Sequence, residues 1–171
     1  MGLIELSESN MVFLCDDERT FLCEKYVNTN SIQHIKSVEF ILKDRSRIFL
    51  VEAKTSVPNP ENSENFKKYI DDISNKAIDS FSLLLSAVMK RRNIDICSEI
   101  LHADYAKINF HLLLVIKNHK KEWCPPVQSG LENSLRHFTV AWNWGPQPVI
   151  VLTEEMAQQI DSFPLLKRHA F

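Results

Sequence analysis

The segment RIFLVEAK, residues 47–54, is predicted to be a buried β-strand that ends on two charged residues. Side chains alternate between the two faces of a strand, so the alternate residues from Phe49 onward give this segment one wholly apolar face. Glu52 and Lys54 lie together on the other face. They form either an ordinary strand end that meets water or one half of a catalytic site.

The preceding apolar segment, SVEFIL at residues 37–42, is expected to pair with this strand as a hairpin. If the connecting loop is the two residues Arg45 and Ser46, the predicted pairs are Asp44–Arg47, Leu42–Phe49, Phe40–Val51 and Val38–Ala53. This register gives one wholly apolar face and places Glu39 directly opposite Glu52. A three-residue loop would mix charge into both faces, so the apolar pattern favours this register, which a four-residue loop would also keep.

Two carboxylates that face each other across a hairpin repel, so a positive charge is expected between them. Lys54, on the same face as Glu52, is one candidate. A divalent cation is the other, because carboxylate oxygens suit Mg²⁺ and Ca²⁺.

The period of the apolar residues changes after the hairpin. Over residues 61–92 it becomes about 3.6, which predicts one long amphipathic helix. Pro60 suits a first helical position, and the length leaves room for a kink near residues 80–86. Lys67, Lys68 and Lys76 are expected to lie on the solubilising surface of this helix.

The other predicted elements complete an α/β domain. Strands are expected at residues 11–15, 21–27, 108–116, 137–142 and 148–152, with a helix at 23–28 as an alternative. A short helix is expected near residues 128–136, and Thr153 is the predicted cap of a last helix. We therefore predict a single domain over residues 1–171, with its core at about 35–116 and a central mixed β-sheet flanked by helices.

The arrangement of acidic residue, Glu-x-Lys strand end and long helix resembles the PD-(D/E)XK nuclease superfamily. Many restriction endonucleases and Holliday-junction resolvases belong to it. Glu39 lies thirteen residues before Glu52, and the resemblance covers roughly residues 35–92, with 108–116 as a further core strand. It implies a restriction-endonuclease-like core.

The resemblance also implies roles for individual residues. Glu39 and Glu52 match the two metal-binding acids, although the family commonly has aspartate at the first position, and Lys54 matches the lysine. The implied cofactor is Mg²⁺ or Mn²⁺, and Lys54 would orient the attacking water or neutralise charge on the phosphate. Family members often carry a further acid on the preceding helix, for which Glu24 is the nearest candidate.

Bulk composition sets limits on partners and location. The net charge of −2 supplies no general attraction to nucleic acid, so DNA binding would need local patches such as Lys90-Arg91-Arg92. The four cysteines form no CxxC pair, which argues against a zinc site. No signal-peptide pattern is present and the apolar runs are too short to span a bilayer, so we expect a cytoplasmic protein without membrane attachment.

Our leading functional hypothesis is a Mg²⁺-dependent nuclease that hydrolyses DNA, within restriction or phage defence. A homodimer or a larger protein complex could supply substrate binding. The alternative is a non-catalytic partner-binding or assembly subunit with the same fold. A third interpretation, an unrelated α/β protein, predicts that Glu39 and Glu52 lie far apart.

Overall fold

The chain begins with a two-stranded hairpin and continues into a mixed sheet in the computed structural model, which describes residues 2–117 and 120–160. The strands are β1 (Leu3–Glu8), β2 (Met11–Asp16), β3 (Thr20–Phe21), β4 (Phe40–Asp44), β5 (Arg47–Lys54), β6 (Asn109–Ile116) and β7 (Val149–Thr153). The α-helices are α1 (Cys23–Thr29), α2 (Ser63–Val88), α3 (Ser98–Leu101), α4 (Cys124–Ala141) and α5 (Glu154–Gln158).

The five-stranded sheet has the order β3-β4-β5-β6-β7 and is mixed, as predicted. β4 runs antiparallel to both β3 and β5, whereas β5, β6 and β7 are parallel to one another. Residues 110–116 of β6 are buried, which agrees with the continuous apolar run expected for a strand covered on both faces. The result is a single α/β domain.

Different layers cover the two faces of this sheet. Helices α1 to α4 pack on one face, where residues such as Val27, Phe81 and Leu131 join the larger apolar core. The other face is covered by the β1–β2 hairpin, called here the N-terminal hairpin, and by α5. The C-terminal end of β5 therefore lies between a helical layer and a hairpin layer.

The register predicted for the β4–β5 hairpin is confirmed. Its pairs include Phe40–Val51, Leu42–Phe49 and Asp44–Arg47, with Arg45 and Ser46 as the loop. The predicted Val38–Ala53 pair is wrong. The ladder ends at Phe40, and the Val38 backbone N–H donates instead to Ser80 Oγ of α2 at 2.9 Å. Val38 consequently packs with the helical layer, while Ala53 packs with the hairpin layer.

One helix prediction needs correction at its ends, and one strand prediction is mostly replaced by a helix. The helix predicted at 61–92 is Ser63–Val88 and has no break near residues 80–86. It begins later than Pro60 because the Asn62 side chain accepts a hydrogen bond from Asn65 N–H and caps it. Of the strand predicted at 21–27, only its first residue lies in a strand, and the helical alternative is the one observed.

The strand predicted at 137–142 is wrong, because these residues belong to the last turns of α4 and its C-cap. Phe138, Thr139 and Val140 favour a strand by composition, but packing against α2 and β7 overrides that preference. The buried positions repeat every four residues, namely Val127, Leu131, Leu135 and Thr139. Thr153 caps α5 as predicted, since its side chain accepts from Met156 N–H.

Among the described residues, no helix combines the length and the apolar character that crossing a membrane requires.

Candidate functional site

Glu52 lies near the C-terminal end of β5 and is completely buried, although it carries a carboxylate. It shares a face with Lys54, as strand alternation predicts, and Lys54 Nζ lies 2.8 Å from Glu52 Oε1. A buried carboxylate is costly unless it is paired with positive charge or hydrogen-bond donors. The Glu-Ala-Lys segment is therefore an inward-facing charged pair and not a strand end exposed to water.

A second lysine, Lys76 of α2, contacts the same oxygen atom. Its Nζ also lies 2.8 Å from Glu52 Oε1, and its side chain is 14% exposed. Burial alone would lower the pKa of Lys76, but the charge of Glu52 and the hydrogen bond to it raise this pKa above its ordinary value. Lys76 is thus charged and holds α2 against β5.

Glu39 is fixed by hydrogen bonds on both sides of its backbone. Ser80 Oγ accepts from the preceding residue, Val38, and the Glu39 carbonyl accepts from Glu24 N–H at 3.3 Å. Glu39 precedes the last residue of the ladder, Phe40, whose partner Val51 precedes Glu52. Both acidic residues therefore lie at the same end of the β4–β5 hairpin, but the ladder ends before the predicted Glu39–Glu52 pair.

Glu24 and Glu8 complete an acidic cluster with Glu39. Glu24 lies in the first turn of α1, and Glu8 is the last residue of β1. One carboxylate oxygen from each of the three residues lies within 4.8 Å of the others. This spacing is about twice the 2.0–2.6 Å at which carboxylate oxygens coordinate Mg²⁺ or Ca²⁺.

The electrostatics of the cluster favour an added positive charge. Burial, the hydrogen bond to Glu24 and the charge of Glu52 raise the pKa of Glu39 from 4.5 to about 9. Burial and the charge of Glu24 raise the pKa of Glu8. At neutral pH the Glu39 carboxyl therefore holds a proton.

Two buried carboxylate oxygens still lack donors. Within the described residues, neither Glu39 Oε2 nor Glu52 Oε2 has a hydrogen-bond partner, whereas Glu52 Oε1 has two lysines. Buried polar atoms without partners are uncommon and costly, and a bound ion is one of their ordinary explanations. The oxygen donors and the negative charge fit a hard divalent cation.

A cavity of about 400 Å³ gives access to the acidic cluster. Its walls include Leu6 and Glu8 of β1, Glu24 of α1, and Glu39 and Phe40 beside it. The volume is many times the roughly 30 Å³ that one water molecule occupies in the liquid. The cluster is therefore accessible to a hydrated ion.

Tyr69 contributes a further polar group from α2. Burial and the charges of Glu52 and Asp72 raise its pKa, so the phenol stays protonated. Its hydroxyl has no partner among the residues that the structure describes. Tyr69 thus offers a hydrogen-bond donor close to Glu52.

Three of these residues, Glu8, Tyr69 and Lys76, were not predicted from the sequence as part of the site. Lys76 was expected on the solvated surface of the helix, but it pairs with Glu52, whereas Lys67 and Lys68 are exposed and pair with Asp71 and Glu64. A signal was present, because Lys76 lies between the buried Ile73 and Ala77. Glu8 could not be found, since β1 was not predicted.

Comparisons with protein-family models, curated proteins and solved structures give no match to this chain.

Proposed function

We propose that the chain is a Mg²⁺-dependent nuclease with a PD-(D/E)XK-like fold. One observation carries this proposal: two buried carboxylate oxygens, Glu39 Oε2 and Glu52 Oε2, lack donors among the described residues, at the strand end that presents Lys54. Such an arrangement is expensive for a purely structural site. A cation bound there would provide the missing partner for both oxygens.

The order of the elements supports the same family. Helix α1 precedes the β4–β5 hairpin and carries Glu24, the residue that the resemblance offers as an upstream acid. Helix α2 follows the hairpin, and β6 then pairs in parallel with β5. This succession of helix, hairpin, long helix and further core strand is the one that the resemblance implies.

Each residue of the site would have a distinct task. Glu39 and Glu52 would hold the cation, with Glu24 as an additional ligand, and their carboxylates suit Mg²⁺ or Mn²⁺. When bound, the cation supplies Lewis acidity toward the phosphate and lowers the pKa of water. Lys54 would orient the attacking water or neutralise charge developing on the phosphate, and Tyr69 could donate to a phosphate oxygen.

The substrate in this proposal is DNA, and the biological setting is restriction or phage defence. The net charge of −2 means that attraction to the phosphate backbone has to come from a local patch such as the exposed Lys90, Arg91 and Arg92. A homodimer or a larger complex would extend the basic surface.

A non-catalytic assembly subunit with the same fold is the second candidate, and a specific observation favours it. Lys54 and Lys76 together already neutralise Glu52 without any metal. In this candidate the ion pairs serve only to join β5 to α2. It predicts neither metal binding nor hydrolysis.

A nuclease assay on single-stranded and duplex DNA with Mg²⁺ separates the two candidates. The wild type should cleave, and Lys54→Ala should lose about 10²–10⁴-fold of the rate while keeping its metal affinity. Lys68→Ala is the matched control, because Lys68 is an exposed lysine of α2 paired with Glu64. Equal cleavage by Lys54→Ala, or no cleavage by any protein, would refute the nuclease proposal.

A further inference from the structure

The turn of the N-terminal hairpin rests directly on the Glu-Ala-Lys segment. Ser9, in this turn, donates from Oγ to the carbonyl of Ala53 at 2.9 Å. Asn10 follows it, and its carbonyl accepts from Lys117 Nζ. Both turn residues have positive φ, which places Glu8 and Met11 as the closing pair of a tight hairpin.

Apolar packing holds the rest of the hairpin on the sheet. Met11, Phe13 and Cys15 are fully buried and belong to the same cluster as Val51 and Ala53 of β5. The ring of Phe13 also meets that of Phe40 edge to face, with centroids 5.4 Å apart. Apolar packing against the sheet therefore fixes the position of the end of β1.

The packing of the N-terminal hairpin positions the side chain of Glu8 at the acidic cluster. This side chain lies within 4.8 Å, oxygen to oxygen, of both Glu24 and Glu39. An independent observation points to a ligand, because the completely buried Glu52 leaves Oε2 without a partner among the described residues. Burial and the charge of Glu24 raise the pKa of Glu8, and the charge of Glu52 adds to them.

We propose that Glu8 is a ligand of the divalent cation, so that the N-terminal hairpin supplies part of the metal site from outside the nuclease-like core. This inference rests on the proposed metal site. It goes beyond the resemblance, which carries over Glu39, Glu52, Lys54 and Glu24 and assigns nothing to β1. Its consequence is that cation binding fixes the hairpin to β4 and α1.

Titration calorimetry with Mn²⁺ tests this assignment on the wild type, Glu8→Gln and Glu5→Gln. Glu5 is the matched control, because it lies on the same strand but is exposed. We expect Glu8→Gln to weaken Mn²⁺ binding by about ten-fold or more, and Glu5→Gln to leave it unchanged. Equal affinity of wild type and Glu8→Gln would overturn the assignment.

Hydrogen exchange of residues 3–16 in the wild type gives a second readout that no variant can confound. Mn²⁺ should slow exchange in the N-terminal hairpin if Glu8 binds it, and unchanged exchange would count against the assignment. The two proposals fail in different ways. If the metal binds and Glu8→Gln has no effect, only the assignment of Glu8 as a ligand is refuted. If the metal binds and DNA is not cleaved, only the nuclease proposal is refuted. If no metal binds, both are refuted.

Discussion

Lys76 Nζ lies 2.8 Å from Oε1 of Glu52, and these two residues join the middle of α2 to the end of β5. Lys54 contacts the same oxygen, so one buried carboxylate oxygen is shared by two ammonium groups. The other oxygen of Glu52 has no donor among the described residues.

Replacing Lys76 by methionine should destabilise the protein. The change removes a charged hydrogen bond to Glu52, a loss of about 1.5–3 kcal/mol, while methionine keeps the helix propensity of lysine. Urea unfolding should show a lower midpoint with an unchanged slope. Lys68→Met is the control. Because Lys68 is exposed, this substitution should change the urea midpoint little. Equal midpoints for the two variants would contradict the buried pairing.

Replacing Glu52 by glutamine should abolish divalent-cation binding. The substitution keeps the shape of the side chain, removes the charge, and leaves Lys54 and Lys76 without their shared carboxylate. Calorimetric titration of Mg²⁺ or Mn²⁺ should give measurable binding to the wild type and none to the variant. Glu64→Gln, at an exposed position on α2, should bind as the wild type does. Retained affinity in Glu52→Gln would exclude Glu52 as a ligand.

The metal-free protein should lose stability as the pH rises from about 4.5 to about 9 through Glu39. In this window the folded state keeps a proton on Glu39 that the unfolded state has released, so the folded state binds more protons. The contribution is fully present below pH 4.5 and is lost as the pH rises through about 9. Glu39→Gln removes this dependence, so the difference in melting temperature between wild type and variant should shift against the wild type with rising pH. A constant difference in EDTA would contradict the raised pKa.

Mg²⁺ should stabilise the wild type and release protons. At about 100 times the Kd a ligand adds about 2.7 kcal/mol, which raises the melting temperature by about 5–10 °C in a domain of this size. Because Glu39 must ionise to bind the cation, about one proton should be released near neutral pH. Calorimetry in two buffers with different ionisation enthalpies measures that number. Equal melting temperatures with and without Mg²⁺ would argue against the metal site.

The sequence predicted the hairpin at the centre of this account because its register depends on local information. A two-residue loop and alternating apolar residues fix the pairs from Asp44–Arg47 to Phe40–Val51. The prediction failed at Val38, where a hydrogen bond to Ser80 on α2 replaces the next ladder pair. No strand pattern contains such a distant partner.

The same distinction explains what was missed at the site. Glu52 and Lys54 lie on one strand and could be placed on the same face by alternation, whereas Glu39 lies just before the first residue of β4. Glu8 and Lys76 reach the site from β1 and α2, whose positions depend on how whole layers pack. Residues 137–142 were misassigned for a related reason, since they continue the four-residue repeat of buried positions in α4, of which Thr139 is the last.

Anomalous diffraction from a crystal grown with Mn²⁺ shows whether the acidic residues bind a cation. We predict a manganese peak coordinated by carboxylate oxygens of Glu39 and Glu52, at distances near those of oxygen ligands to hard cations. Carboxylate oxygens of Glu8 and Glu24 should also coordinate this manganese ion. A crystal with no manganese at this site, and with the Glu39 and Glu52 carboxylates unchanged, would contradict the account.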